Sequence, residues 1–156
     1  MARLEASSIL DAVNGIVTAA YPNDVAYINY LPEGFVRPSC LYQQIRVTRA
    51  DATRWTQLIT LNILITIFAA QDAHGHMDTA ALLAKQFGVM DALSNGAIYV
   101  GDRAVRISAV TGAQDLDAAT VELTISYFDD RPDAGSGSAD LMEDIKITYY
   151  VNNEVI

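Results

Sequence analysis

Two histidines and an aspartate stand close together in Asp72-Ala73-His74-Gly75-His76-Met77-Asp78, between an apolar run and a helix-like one. His-x-His-x-Asp after a strand and before a helix is a spacing with which zinc hydrolases begin a metal site. There imidazole nitrogens hold the ion and a bound water becomes the nucleophile. A zinc site needs at least three protein ligands, and His74 and His76 are the only histidines in the chain. Cys40 or the acids would have to complete the set, and nothing in their spacing singles any of them out. A helix start accounts for the same letters. Asp78 suits the N-cap of a helix beginning at Thr79, Met77 can staple onto Leu82, and Gly75 turns the loop. The cap is the better reading.

The metallo-β-lactamase signature, His-x-His-x-Asp-His, is matched at its first five positions and departs at the sixth, which is Thr79. Cys40 opens a strand as the lone cysteine, where a buried thiol is the default, and no Gly-x-Ser-x-Gly elbow supplies a serine nucleophile. The acid pairs Asp129-Asp130 and Glu143-Asp144 flank a turn-rich loop and read as solvated. The residues therefore point away from an enzyme, with no catalytic, cofactor-binding or metal-binding residues expected and no cofactor. A small metal-dependent hydrolase using His74 and His76 is the weaker alternative.

At 156 residues, 51% of them hydrophobic and 19% charged, the chain reads as one domain over 1–156 with a sizeable core. One cysteine cannot make an intrachain disulfide. The greasiest run, Leu58 to Ala70, is interrupted by Thr60, Asn62 and Thr66 and is too short to span a bilayer. A net charge of −9 argues against a nonspecific nucleic-acid binder. The acid is concentrated: residues 1–114 hold eight basic and nine acidic side chains, residues 115–156 two basic and ten acidic. Arg37, Arg46, Arg49 and Arg54, opposed only by Asp51, form a basic cluster in the sequence.

The periods place these groups on elements. Residues 5–20 put Ile9, Val13, Ile16, Val17 and Ala20 on one helical stripe, stopped by Tyr21-Pro22-Asn23-Asp24. Residues 40–49 alternate, with Leu41, Ile45 and Val47 on one face and Tyr42, Gln44, Arg46 and Thr48 on the other. Residues 58–68 alternate again through Ile59, Leu61, Ile63, Ile65 and Ile67, so the two read as an antiparallel hairpin. A helix over 79–93 carries Leu83, Phe87 and Met90 beside Leu82, Val89 and Leu93. A tight hairpin follows around Gly101-Asp102. Val121, Leu123, Ile125 and Tyr127 alternate in a strand expected to pair with a last one through Ile145, Ile147, Tyr149 and Val151. Between them lies an acidic Gly/Ser loop near 129–140, expected to be flexible. The fold class expected is α+β, a mainly antiparallel sheet built from hairpins with two helices packed on it.

Residues 21–45, YPNDVAYINYLPEGFVRPSCLYQQI, hold three of the four prolines and four of the eight tyrosines. A helix ending at Tyr21-Pro22, a short strand, Gly34-Phe35-x-x-Pro38 and then a long strand resemble the tail terminator proteins of long-tailed bacteriophages and prophages. The order of the later elements, and Met142 in "DLMEDI" before the last strand, are similar too. Ser39-Cys40 stands where relatives often carry apolar or aromatic residues.

What the resemblance implies is a structural virion protein with a tail-terminator-like fold. It forms a ring, usually of six copies, that caps the tail tube, ends its polymerisation and offers a surface for head attachment. The implied partners are the chain itself, the tail tube protein and a head-completion or connector protein. DNA passes through only as cargo, and no membrane is involved. The implied location is the head–tail junction of a virion assembled in the host bacterial cytoplasm. Another head–tail connector or minor capsid component is the alternative. The interface candidates are Tyr21, Pro22, Gly34, Phe35, Pro38, Arg46, Arg49, Asp129, Asp130 and Met142. Among these, the acidic loop is expected to lean on a neighbour's first hairpin.

Overall fold

A run of isoleucines at every second position can hide only one face of a strand, and that face must find helices or a second sheet to cover it. In the computed structural model, which describes residues 3–132, 150, 151, 154 and 155, helices do so. The chain runs α1 (Ala6–Ala20), β1 (Val25–Ile28), β2 (Ser39–Asp51), β3 (Thr56–Phe68), α2 (Thr79–Ala92), β4 (Ala97–Val100), β5 (Arg103–Gln114) and β6 (Ala119–Asp130), then a short pair, β7 (Tyr150–Val151) and β8 (Glu154–Val155). Six strands form one sheet in the order β1-β2-β3-β6-β5-β4, antiparallel throughout except for the parallel β1–β2 pair. This is the α+β class expected, with two helices on one face.

β3 and β6 lie side by side at the centre, Ile59 opposite Tyr127, Leu61 opposite Ile125, Ile63 opposite Leu123 and Ile65 opposite Val121. All eight are buried. α1 brings Ile9, Leu10, Val13 and Val17 against them, and α2 brings Leu82, Val89 and Leu93. Of the two apolar rows on α2, the row through Leu82, Gln86, Val89 and Leu93 meets the core, while Leu83 and Phe87 stay exposed. Asp78 caps α2, its carboxylate accepting from Ala80 N at 3.0 Å and Ala81 N at 3.3 Å. The middle of the opposite sheet face carries polar side chains, among them Asn62, which donates to Glu122 at 2.9 Å and Thr124 at 3.2 Å.

Two expectations about strands are corrected. β2 does not keep one parity: a bulge between Gln44 and Arg46 reverses it. Before the bulge Cys40 and Tyr42 share the core face with Ile67 and Ile65, and after it Val47 and Arg49 share the face of Leu61 and Ile59. Leu41 therefore lies on the opposite face from Val47, because the extra residue adds half a period. The partners of β6 also differ. Both its hydrogen-bonding sides are taken, by β3 along the strand and by β5 from Ala119 to Ser126. β5 runs on to Gln114 and turns directly into β6, so no room remains there for the strand expected at 145–151. That strand lies mostly outside the described residues, and its end, β7, pairs with β8 instead.

Replacing Ile63 by Ala should cost about 2–5 kcal/mol in urea unfolding, as for a buried aliphatic that leaves a cavity. Thr60→Ala, on the open face, should cost far less. The reverse order would mean that the β3–β6 register is displaced by one.

Candidate assembly surfaces

The segment joining α1 to β2 is irregular apart from β1, and several of its side chains, Tyr21, Asp24, Phe35 and Arg37 among them, are engaged with the rest of the molecule. Tyr21 ends α1 and lays its ring between the helices. Its hydroxyl occupies the place that a side chain at Gly88 of α2 would need, so this close approach requires glycine. Lys85 Nζ sits 5.4 Å from the Tyr21 ring centre and forms an ion pair with Asp24, both side chains largely buried. Burial, then Asp24, raises the Tyr21 phenol above its ordinary pKa. The Cys40 thiol donates to the same Asp24 carboxylate at 3.9 Å, and burial pushes it up to about 11. At neutral pH this thiol is protonated and shielded, a packing residue and not a nucleophile.

Further along, Gly34 takes a φ of 73°, a left-handed turn that favours glycine. Phe35 packs on Phe68 with ring centres 4.6 Å apart. The Arg37 guanidinium lies over both rings, at 5.1 and 5.3 Å, and donates to Ala69 O and Met77 Sδ. A cis Arg37–Pro38 bond leads into β2, and Pro38 O accepts from Val25 N at 3.2 Å. Of the motif residues Pro22 and Gly34 are exposed, while Tyr21, Phe35 and Pro38 are partly buried.

The basic cluster of the sequence is divided in space. Arg37 stands beside Phe68, and Arg49 is opposite Ile59, nine residues or roughly 30 Å away along the strand. Arg46, next to Asn62, and Arg49, next to Ile59, are three residues apart on the regular part of the strand and so on opposite faces. Both are exposed near the tip of the β2–β3 hairpin, where Arg54 stacks on Trp55 at 4.8 Å. Asp51 at that tip is paired with Arg131 at 2.7 Å.

Asp129 is not a surface acid. It is 1% exposed, accepts from Leu4 N at 3.0 Å and lies 3.4 Å from the Arg103 guanidinium. These groups satisfy a carboxylate that would otherwise be costly to bury. It ties the start of the chain to β6 and is not available to a neighbour's arginine. Asp130, one residue on, takes the other face and is partly exposed. Met142 and the acids from Asp133 to Asp144 lie outside the described residues.

His74 and His76 are exposed on a loop organised by Asp72, whose carboxylate accepts from both of their backbone N–H groups at 2.9 Å. Their rings are 6.3 Å apart. Among the described residues no three His, Cys, Asp or Glu side chains gather as a metal site. Sequence reasoning missed Asp24, Lys85, Gln86 and Arg103. Gln86, in the apolar row of α2, donates to Ala113 O at 2.8 Å and Thr120 O at 3.0 Å, pinning the helix to the β5–β6 hairpin. Its place in that row, one turn after Leu82, was the available signal.

The fold defines the class of protein first: an α+β domain with two helices over one face of a mostly antiparallel six-stranded sheet. No family model and no curated protein matches the chain. Among solved structures, a chain from the virion of a native gene transfer agent particle aligns over 81% of this chain and 97% of its own, at 16% identity and a TM-score of 0.48. A second solved structure aligns over 80% and 92%, at 17% identity and a TM-score of 0.34. Likenesses of this degree fix neither a family nor a function.

Gly88→Ala should destabilise by about 1–3 kcal/mol through overpacking against Tyr21. Adding Tyr21→Phe should recover much of that loss in a double-mutant cycle, and strict additivity would contradict the contact. For the histidine loop, elemental analysis after dialysis should find well below one zinc per chain. His74→Ala with His76→Ala should leave the unfolding midpoint nearly unchanged.

Proposed function

We propose that this chain is a structural virion protein of a tailed phage or phage-like particle, a tail terminator. Copies of it close into a ring of six that caps the tail tube, ends polymerisation and presents a docking surface to a head-completion or connector protein. The observation that carries this reading is the order of motif and element. A helix ends at Tyr21-Pro22, a short strand follows, Gly34-Phe35 turns, and Pro38 leads into a long hairpin, a helix and an antiparallel close.

The physical chemistry agrees with a subunit that works by shape. Among the described residues, the buried and largely buried groups Asp129, Asp24 with Lys85, and Cys40 hold the fold together. Large apolar side chains remain on the surface, among them Tyr30, Phe87, Tyr99, Leu116 and Phe128, and are available to contacts with other subunits. The net charge of −8 over residues 115–156 would keep DNA passing through the ring from adhering to it, by like-charge repulsion. No helix among the described residues is long and apolar enough to cross a membrane.

Two measurements test the reading. Native mass should give a closed oligomer, alone or once tube protein is added. Added to polymerising tube protein, the chain should arrest growth and appear only at tube ends by electron microscopy. Binding to a head connector without effect on tube length would instead favour another head–tail joining protein, and a monomer with neither effect would overturn both.

A further inference from the structure

The sheet ends in two edges that its own short strands only half cover. β1 pairs with β2 only from Ser39 to Tyr42, and among the described residues nothing pairs with that side of β2 beyond it. β4 pairs with β5 only from Arg103 to Arg106, with one further bond from Ile107 N to Gly96 O at 3.0 Å. Past that point, and again among the described residues, β5 is open to Gln114. Open edges of this length are templates for another strand unless something blunts them.

The edges match one another in hydrogen-bonding phase. Tyr42 gives its carbonyl to β1, accepting from Asn29 N at 2.8 Å, so its backbone points away from β3. The bulge after Gln44 shifts the phase, and Val47 and Arg49 then point outward. On β5, Ile107 N points away from β6, and the bulge between Ile107 and Ala109 likewise leaves Val110 and Gly112 outward. Three antiparallel steps separate β2 from β5, so the two edges run in opposite directions. A second copy, turned about an axis inclined to the strands and without inversion, therefore brings its β5 edge antiparallel to β2 of the first.

We infer that copies of this chain join edge to edge, the open part of β2 in one pairing with the open part of β5 in the next. The contact is heterologous, and it closes a ring where the strands tilt from the ring axis so that the stagger is taken up on going round; that closure rests on the function proposed above. A stagger of about four residues along the sheet, roughly 13 Å, sets Val47 opposite Gly112 and Arg49 opposite Val110. It lays the open stretch 45–51 of β2 against 108–114 of β5, so that the next copy's Gly96 and β4 begin where β2 ends at Asp51. It also brings Leu116, 88% exposed in its turn, beside Tyr30, 71% exposed just after β1.

Charge agrees with this occupant. Arg46 and Arg49 mark the β2 edge, whereas residues 108–118 carry Asp115 and Asp117 and no base. In the staggered register Arg46 lies diagonal to Asp115, a spacing that a long side chain spans.

The test uses the full chain and native mass across a concentration series. Val47→Pro removes an outward N–H and leaves the β2–β3 ladder in place, so it should raise the concentration of half-assembly by about tenfold or more. Val47→Thr, which keeps the N–H, should not. Arg46→Asp should weaken assembly, and adding Asp115→Arg should restore it. A wild-type ring that Val47→Pro leaves intact would overturn the edge pairing while the ring stands. A wild type that stays monomeric even with tube protein would overturn the ring and the pairing together. If Val47→Pro fails to fold, amide exchange on the wild type decides. Val47 and Arg49 should be protected in the ring and exchange freely in the dilute monomer. Protection in the monomer would mean that the chain's own later residues cover this edge, and would overturn the proposal.

Discussion

The pairing of β3 with β6 is the constraint on which the rest of the molecule depends. Each strand hides one face, and the register brings the hidden faces together, so that Ile63 meets Leu123 and the row continues on both sides. A displacement of one residue would put the two rows on opposite faces, so that one of them turned outward. With the register set, only one face of the sheet needs cover, and α1 and α2 together suffice for it. The opposite face can then be polar and carry Asn62, Glu122 and Thr124 as a hydrogen-bonded group.

Polar groups drawn into this core are placed where they tie elements together. Asp129 holds Leu4 and Arg103, Gln86 holds the carbonyls of Ala113 and Thr120, and Asp24 holds Lys85 and Cys40. Each joins parts of the chain that are distant in sequence. A buried donor or acceptor left alone costs about 1–3 kcal/mol, so these groups specify how the helices and the chain start sit on the sheet. The functional reading gains from this, since a subunit that caps a tube must present its surfaces in fixed relation.

The same sheet explains what is left open. β1 and β4 are four residues each, while the strands that they border have thirteen and twelve. The remaining lengths of β2 and β5 face outward with a bulge in each. Bulges commonly protect an edge by twisting it. Here each bulge also decides which backbone groups point outward, and so what an added strand would meet.

Local periods and turn chemistry were enough to determine several features from sequence. These are the α+β class, the α1 stripe, the Asp78 cap, the β2–β3 hairpin, the turn at Gly101-Asp102 and the inward rows of β3 and β6. Each depends on neighbours within a few residues, where side-chain geometry repeats with a fixed period. Asp129 was also within reach: the alternation that buries Tyr127 points its second neighbour inward, although a carboxylate there reads as solvated until Leu4 and Arg103 are seen to meet it. Tertiary structure alone decided that β6 lies between β3 and β5, that β2 reverses its faces at Gln44, and that Arg37 stands apart from Arg46 and Arg49. Strand order and bulges are chosen by how whole strands fit against distant ones, and no short-range period records that choice.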